Sequence, residues 1–205
     1  MERRELLKMI AVLTGGVVIG GEVFLSGCTS KTADASTFSA DNIALLDEVG
    51  ETIIPTTDTP GAKATKIGEF MKIMVTDCYN ADQQKVFAAG LTGLNEACKK
   101  VNGKSFTDSN AEQRKAFLVS LEKEAKEYNK QRDEKEKEAK EKARKEMNPD
   151  YVNAPSHYYT MLKQLTLLGY FTSEIGSKQA LRFKPVPGSY DGAFPYKKGD
   201  KAWAI

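Results

Sequence analysis

The sequence predicts an all-α domain, an irregular helical bundle with a long charged helical extension and an extended C-terminal arm rich in aromatic residues, Pro and Gly. Three observations carry this. Apolar residues from about 43 to 168 recur at steps of three and four, the spacing of a helix face. Start and stop signals bracket those runs. Between residues 122 and 146, 19 of 25 side chains are charged, in an alternation that a helix can pair. A length of 205 residues fits one domain with an appendage. Thirty Lys and Arg against 28 Asp and Glu leave a net charge of +2, too weak a field to argue for nucleic acid. With 40% hydrophobic and 28% charged residues, the chain is neither a polytopic membrane protein nor fully disordered.

The first 27 residues read as an export signal and not as fold. Met1 to Lys8 is a charged head, Met9 to Gly27 is apolar and Gly-rich apart from Glu22, and Cys28 follows. Arg3 and Arg4, with Glu5, Leu6, Leu7 and Lys8, resemble the twin-arginine motif, which exports folded proteins. Leu25, Ser26, Gly27 and Cys28 resemble a lipobox, in which the Cys28 thiol is lipidated after cleavage. A doubly acylated Cys28 would anchor the mature chain, each buried CH2 contributing about 0.8 kcal/mol. An uncleaved signal anchor is the plainer alternative. The glycines at 15, 16, 20 and 21 make no phosphate loop, because no strand precedes them. Residues 28–38 read as a tether, and 39–205 as the domain.

Ser39 caps the first helix, with Ile43, Leu46, Val49 and Ile53 as its apolar face and Pro55 as its stop. The run from Ile53 to Ala62 then holds two prolines and a glycine, a turn in which Thr59 and Pro60 read as N-cap and first helical residue. Ile67, Phe70, Met74 and Cys78 line the next helix. Asn80 with Gln83 forms a capping box for the third, whose stripe is Phe87, Leu91, Leu94, Cys98 and Val101 and whose stop is Gly103. Ser109 with Glu112 starts a fourth, carrying Phe117, Leu118 and Leu121. It runs into the charged extension, residues 122–147, where Glu122/Lys126, Glu136/Lys140, Glu138/Lys142 and Glu141/Lys145 are set for pairing at about 0.2–0.5 kcal/mol each. This mixture reads as a solvated face.

After Asn148 and Pro149, Tyr158, Met161, Leu162, Leu165 and Leu168 form another helix, with Gly169 as a left-handed cap and a short helix after Gly176. From residue 183 on, Pro185, Pro187, Gly188, Gly192, Pro195 and Gly199 exclude a helix. The aromatics Phe183, Tyr190, Phe194, Tyr196 and Trp203 suit an arm lying across a surface, its own or a partner's.

Reactive groups are scarce. His157 is the only histidine and sits at a helix start, where it reads as a cap. There is no Cys-x-x-Cys-His for haem and no strand-turn-helix with Gly-x-Gly-x-x-Gly for a dinucleotide, so the sequence assigns this chain no catalytic, metal or cofactor-binding residue. Cys78 and Cys98 flank the Asn80 bend, and Cys98 falls about 27 Å down the next helix at about 1.5 Å per residue. A disulfide needs Cα atoms within about 7 Å, so both should be buried thiols.

Three segments carry a resemblance. The run from Ile53 through Pro55, Thr57, Asp58, Pro60 and Gly61 to Ala62, the run from Gly169 through Tyr170 and Phe171 to Gly176, and Pro187, Gly188, Ser189 and Tyr190 are similar to the hallmarks of the gluconate 2-dehydrogenase subunit 3 family. Gly90, Leu91 and Phe106 are similar too. The charged extension, Tyr158 and Tyr159 in place of two Phe, and Ala193 in place of a Cys depart from the pattern. The resemblance implies a non-catalytic small subunit of a membrane-associated sugar or polyol dehydrogenase. FAD then belongs to a large subunit of glucose-methanol-choline type, and haem c to a third, cytochrome c subunit. The small subunit escorts its folded partner through the twin-arginine translocase. Lipid on Cys28 then holds it at the periplasmic face of the inner membrane, the outer membrane being the other possible site. The expected partner-contacting residues are Pro55, Thr57, Asp58, Pro60, Gly61, Tyr170, Phe171, Pro187, Gly188, Tyr190, Phe194 and Trp203. A stand-alone periplasmic lipoprotein with a different partner is the alternative.

Overall fold

The computed structural model describes residues 37–148, 151–186, 188–189 and 191–204. The chain divides into two units, 1–32 and 33–205, and every described residue belongs to the second. Arg3, Arg4 and Cys28, with most of the tether, and Pro187 and Tyr190 lie outside the described residues. Five α-helices follow in order: α1 Ala40–Ile53, α2 Ile67–Cys78, α3 Ala81–Asn102, α4 Ala111–Lys145 and α5 Tyr158–Thr172. A short 3-10 turn, Ala62–Thr65, precedes α2, and a π-helical turn, Gly176–Ala180, follows α5. The described residues contain no strand, only an isolated bridge between Arg182 and Trp203, so the all-α expectation is met.

Helix α1 starts where expected: Ser39 Oγ accepts from the Asn42 N–H at 3.3 Å. Leu46 and Val49 are fully buried, joined by Leu45, while Ile43 and Ile53 stay half-buried at its flank. The start of α2 differs from the expectation. Thr59 and Pro60 do not begin a helix; Gly61 precedes the 3-10 turn, and α2 begins at Ile67 after Lys66, which stands in the left-handed region at φ 53°. Lys66 offers no side-chain cap. Asp47, on α1, does so instead, its Oδ1 accepting from the Gly68 N–H at 2.8 Å. A Cβ on Gly68 would lie 2.5 Å from the Ile43 carbonyl oxygen, so this glycine lets the two helices meet backbone to backbone. That contact turns Ile67, Met71 and Val75 into the core, leaves Phe70 and Met74 at its edge, and puts Cys78 outside. The expectation of two buried thiols therefore holds for Cys98 alone; both are unpaired.

The Asn80 and Gln83 capping box forms as expected, and Phe87, Leu91, Leu94 and Cys98 are buried along α3. Val101, at the same spacing, is 67% exposed in the last turn of α3. Gly103 closes it at φ 72°, a conformation that favours glycine. The cap of α4 is one residue later than expected, Asn110 with Gln113. Ser109 is buried, its hydroxyl donating to the Ser105 carbonyl at 2.8 Å inside the loop. In that loop Phe106 is fully buried, and its N–H donates to Asn95 Oδ1 at 3.1 Å.

Helix α4 runs unbroken into the charged extension. Phe117, Leu118, Leu121 and Ala125 are buried in its first half. Two of the expected pairs close, Glu122 with Lys126 at 3.2 Å and Glu136 with Lys140 at 3.8 Å. The extension is not solvated all round, however. The irregular segment before α5 lies on one face, where the Ala154 N–H donates to Glu136 Oε1 at 2.7 Å and the His157 N–H to Asn129 Oδ1 at 3.0 Å. Asn129 also donates to Thr160 Oγ1 at 2.8 Å, and Lys163 pairs with Glu122 at 3.0 Å. Polar side chains supply here what an apolar stripe would, so hydropathy spacing carries no trace of the contact. Met147, at φ 47°, ends α4, with the Asn148 N–H returning to the Ala143 carbonyl at 3.0 Å.

His157 caps α5 as expected, its Nδ1 accepting from the Tyr159 N–H at 3.3 Å. Gly169 is not a left-handed cap. It lies inside α5, which continues to Thr172, and a Cβ there would come within 2.5 Å of Ile67 and Phe70. Close packing of α2 onto α5 explains this glycine. Leu168, expected in the apolar stripe, is 46% exposed, turned away from the Gly169 contact by the helical step of about 100° per residue.

Candidate partner-docking surface

Three carboxylates on one side of α1 organise the turn that follows it. Besides Asp47, Glu51 receives the Thr56 N–H at 2.8 Å and the Thr56 hydroxyl at 2.7 Å on one oxygen, and the Lys63 N–H at 3.0 Å on the other. The Thr56 hydroxyl oxygen accepts in turn from the Gly61 N–H at 3.1 Å, and the Ala62 N–H returns to the Ile54 carbonyl at 2.9 Å. Any Cβ at position 61 would lie 2.2 Å from Glu51 Oε2, so the carboxylate occupies the space a larger residue needs. Burial works to raise the Glu51 pKa, but the hydrogen bonds from Thr56 and Lys63 outweigh it and hold the carboxyl below its ordinary value.

Glu48 ties this turn to the rest of the bundle. It pairs with the Lys63 ammonium and with Arg114 Nη1 at 2.5 Å, and these contacts, Lys63 first, hold its pKa low against burial; Lys63 is raised correspondingly. Arg114 also donates from Nε to the Phe106 carbonyl at 2.9 Å and from Nη2 to the Thr107 carbonyl at 2.6 Å. One guanidinium thus joins α1, α4 and the loop between α3 and α4.

The expected contact residues fall into two groups. In the first, Pro55, Thr57 and Asp58 are exposed on the turn, Pro60 is half-buried and Gly61 is buried. Tyr170 joins them from α5, its hydroxyl donating to the Pro60 carbonyl at 2.6 Å. Its ring is 1% exposed, so Tyr170 braces the turn from inside and offers no surface of its own. Phe171 packs edge-on against that ring at 5.0 Å and stays 40% exposed.

The second group is the C-terminal loop. Arg182 and Trp203 bridge, with the Arg182 N–H donating to the Ala202 carbonyl at 2.7 Å and the Ala204 N–H to the Arg182 carbonyl at 3.0 Å, so the segment between them closes on itself. Phe194 and Trp203 meet at 5.8 Å, each about half exposed, and the Arg182 guanidinium lies 5.5 Å from the first ring and 4.7 Å from the second. Gly188 is exposed with φ +80°. No hydrogen bond, ion pair or ring contact among the described residues joins the two groups.

Sequence reasoning missed Glu48, Glu51, Arg114 and Arg182. A signal existed for the first two, since Asp47, Glu48 and Glu51 share the polar side of a helix that leads straight into a turn with unpaired N–H groups. Nothing local marks Arg114, whose partner is 66 residues away. Among the described residues no three His, Cys, Asp or Glu gather to hold a metal ion, and no helix is long and apolar enough to cross a membrane.

No curated protein and no solved structure matches the chain. The family model described as gluconate 2-dehydrogenase subunit 3 matches residues 40–188, more than two thirds of the sequence, a span that covers all five helices and the braced turn. The chain therefore belongs to the gluconate 2-dehydrogenase subunit 3 family, that of an accessory subunit of a dehydrogenase complex.

Proposed function

We propose that this chain is the non-catalytic small subunit that escorts, anchors and stabilises a flavin-dependent sugar or sugar-acid dehydrogenase of glucose-methanol-choline type. The partner holds FAD and oxidises the substrate, and a cytochrome c with haem c takes the electrons. The pair leaves the cytoplasm folded, on the twin-arginine signal of Arg3 and Arg4. Lipid on Cys28 then keeps it at the periplasmic face of the inner membrane. The observation that carries this reading, beside family membership, is where apolar surface is left uncovered. Leu167, Leu168, Phe171, Phe183, Val186, Phe194, Tyr196 and Trp203 are each at least 40% exposed, a concentration toward the C-terminus that marks an interaction surface. Pro55, Thr57, Asp58 and Phe171 form one contact, and Phe194 and Trp203 the other.

Purification of the tagged full chain from membranes tests the reading. A flavoprotein should accompany it, and replacing Arg3→Lys together with Arg4→Lys should strand that flavoprotein in the cytoplasm. Recovery of the chain without any flavoprotein, or undiminished export in the double variant, would refute the escort role. Deleting residues 184–205 should weaken the complex; an intact complex would remove the C-terminal loop from the interface.

A further inference from the structure

The near-neutral total charge hides an asymmetry. Residues 178–205 hold six cations, Lys178, Arg182, Lys184, Lys197, Lys198 and Lys201, against Asp191 and Asp200, while the preceding 177 residues carry 24 cations against 26 anions. Among the described residues, this basic segment also exposes Phe183, Val186, Phe194, Tyr196 and Trp203.

The two acids of this segment are used within it. Asp191 Oδ1 accepts from the Ala193 N–H at 2.9 Å, and Asp200 Oδ2 accepts from the Lys197 N–H at 2.9 Å and lies 3.8 Å from Arg182 Nη2. Three cations are likewise engaged, Lys178 with Glu174 at 2.6 Å, Arg182 with Asp200 and the two rings, and Lys201 with the Gln179 carbonyl at 2.5 Å. The ammonium groups of Lys184, Lys197 and Lys198 pair with no acid among the described residues, and all three side chains are exposed. They accompany Phe194 and Trp203, whose rings are held at fixed angles around the Arg182 guanidinium.

We infer that the loop closed by Arg182 and Trp203 docks onto an acidic face of the flavoprotein subunit, with Phe194 and Trp203 as apolar anchors and Lys184, Lys197 and Lys198 as the charged rim. The inference rests on the proposed function and adds the chemistry of the partner's surface. Interfaces place aromatic rings at the centre and charges at the edge, and rim charges steer association. A basic and aromatic segment also suits an anionic lipid surface. A protein surface is favoured here because the bridge at the base and the Arg182 guanidinium beside both rings hold Phe194 and Trp203 in place. Such preorganisation helps a ring enter a formed pocket, whereas a fluid bilayer gains nothing from it.

The test measures binding of the full chain to the flavoprotein recovered with it, across ionic strength. The variant reverses Lys184→Glu, Lys197→Glu and Lys198→Glu, all exposed and outside the core, with circular dichroism to verify the fold. Affinity at low salt should fall about ten-fold or more, mainly through the association rate, and its dependence on salt should flatten. Replacing Trp203→Ala should instead speed dissociation. If the charge-reversed variant binds the flavoprotein with unchanged affinity and salt dependence, the docking loop is refuted while the escort role stands. If no flavoprotein is ever recovered, both fail. Vesicles of phosphatidylglycerol and of phosphatidylcholine complete the test. Lysine-dependent binding to the anionic vesicles alone, with the flavoprotein complex unaffected by the reversal, would assign the loop to the membrane and overturn the inference.

Discussion

Replacing Glu51 with Ala tests whether the turn from Pro55 to Ala62 is held by one carboxylate. Three donors lose their acceptor: the Thr56 N–H at 2.8 Å, its hydroxyl at 2.7 Å and the Lys63 N–H at 3.0 Å. A hydrogen bond to a charged group contributes about 1.5–3 kcal/mol when buried. These three are near the surface, where water can replace part of the loss, so about 0.5–1 kcal/mol each is the fitting scale and about 1.5–3 kcal/mol the expected total. For a domain of this size that lowers Tm by roughly 3–12 °C, at about 2–4 °C per kcal/mol. Thermal unfolding followed by circular dichroism measures it, with Glu51→Gln losing less because one acceptor oxygen remains. The effect has a pH signature. The hydrogen bonds hold the folded-state pKa of Glu51 below its unfolded value. Its contribution is therefore complete above about pH 4.3, the ordinary glutamate value, and is lost as pH falls through the folded value. Glu48 behaves in the same sense, so Glu51→Gln should reduce the acid sensitivity of the protein without abolishing it. A loss under about 0.5 kcal/mol for Glu51→Ala, the usual range of a surface substitution, would refute the claim that this carboxylate builds the turn.

Three further outcomes follow from the packing. In α3, Gly90→Ala would bring a Cβ within 2.0 Å of the Tyr158 ring and should cost about 1–3 kcal/mol in denaturant unfolding, whereas Gly93→Ala, with nothing within 4 Å, should gain about 0.5–1 kcal/mol; equal effects would show that α3 and α5 do not meet at Gly90. Cys78 should react with Ellman's reagent in the native protein and Cys98 only after unfolding, and prompt reaction of both would contradict the burial of Cys98. Burial lowers the pKa of His157, with Glu124 opposing, so its stabilisation is complete above about pH 6.5 and declines as pH falls toward the folded value. Protonation also removes the Nδ1 acceptor that caps α5. His157→Asn should therefore flatten the stability profile just below pH 6.5 while keeping a cap; an unchanged profile would exclude His157 as its source.

What the sequence made legible was whatever its own neighbours decide. The Asn80 and Gln83 box, the Gly103 stop, the His157 cap and the stripe from Phe87 to Cys98 all depend on residues within one or two helical turns, and all stand as expected. Errors came where a distant group overrides the local rule. Ser109 with Glu112 and Asn110 with Gln113 are both acceptable capping pairs by pattern; Ser105 settles the choice by taking the Ser109 hydroxyl into the loop. Gly169 follows an apolar stripe and so looks terminal, yet its missing Cβ is a contact surface for Ile67 and Phe70 from a helix about a hundred residues earlier. Cys78 sits at helical spacing from Ile67, but where α2 meets α1, at Gly68 with its bond to Asp47, Ile67, Met71 and Val75 take the inside and Cys78 is left exposed at the end of the helix.

The docking surface shows the same division with more consequence. The turn and the aromatic tail stand out in the sequence because Pro, Gly and aromatic residues are unusual in such density. Which of them can touch a partner depends on what the fold consumes. Tyr170 and Gly61 are consumed, one bracing Pro60 and the other yielding its space to Glu51, so two positions that look like contact residues are parts of the support. Phe171, next in the chain, packs against the buried Tyr170 ring and stays 40% exposed. In the C-terminal loop Arg182 performs the equivalent task for Phe194 and Trp203. Motif residues and surface residues therefore overlap only in part, and a substitution at Tyr170 should impair a complex by loosening the turn, with a larger fall in Tm than one at Phe171, which is 40% exposed.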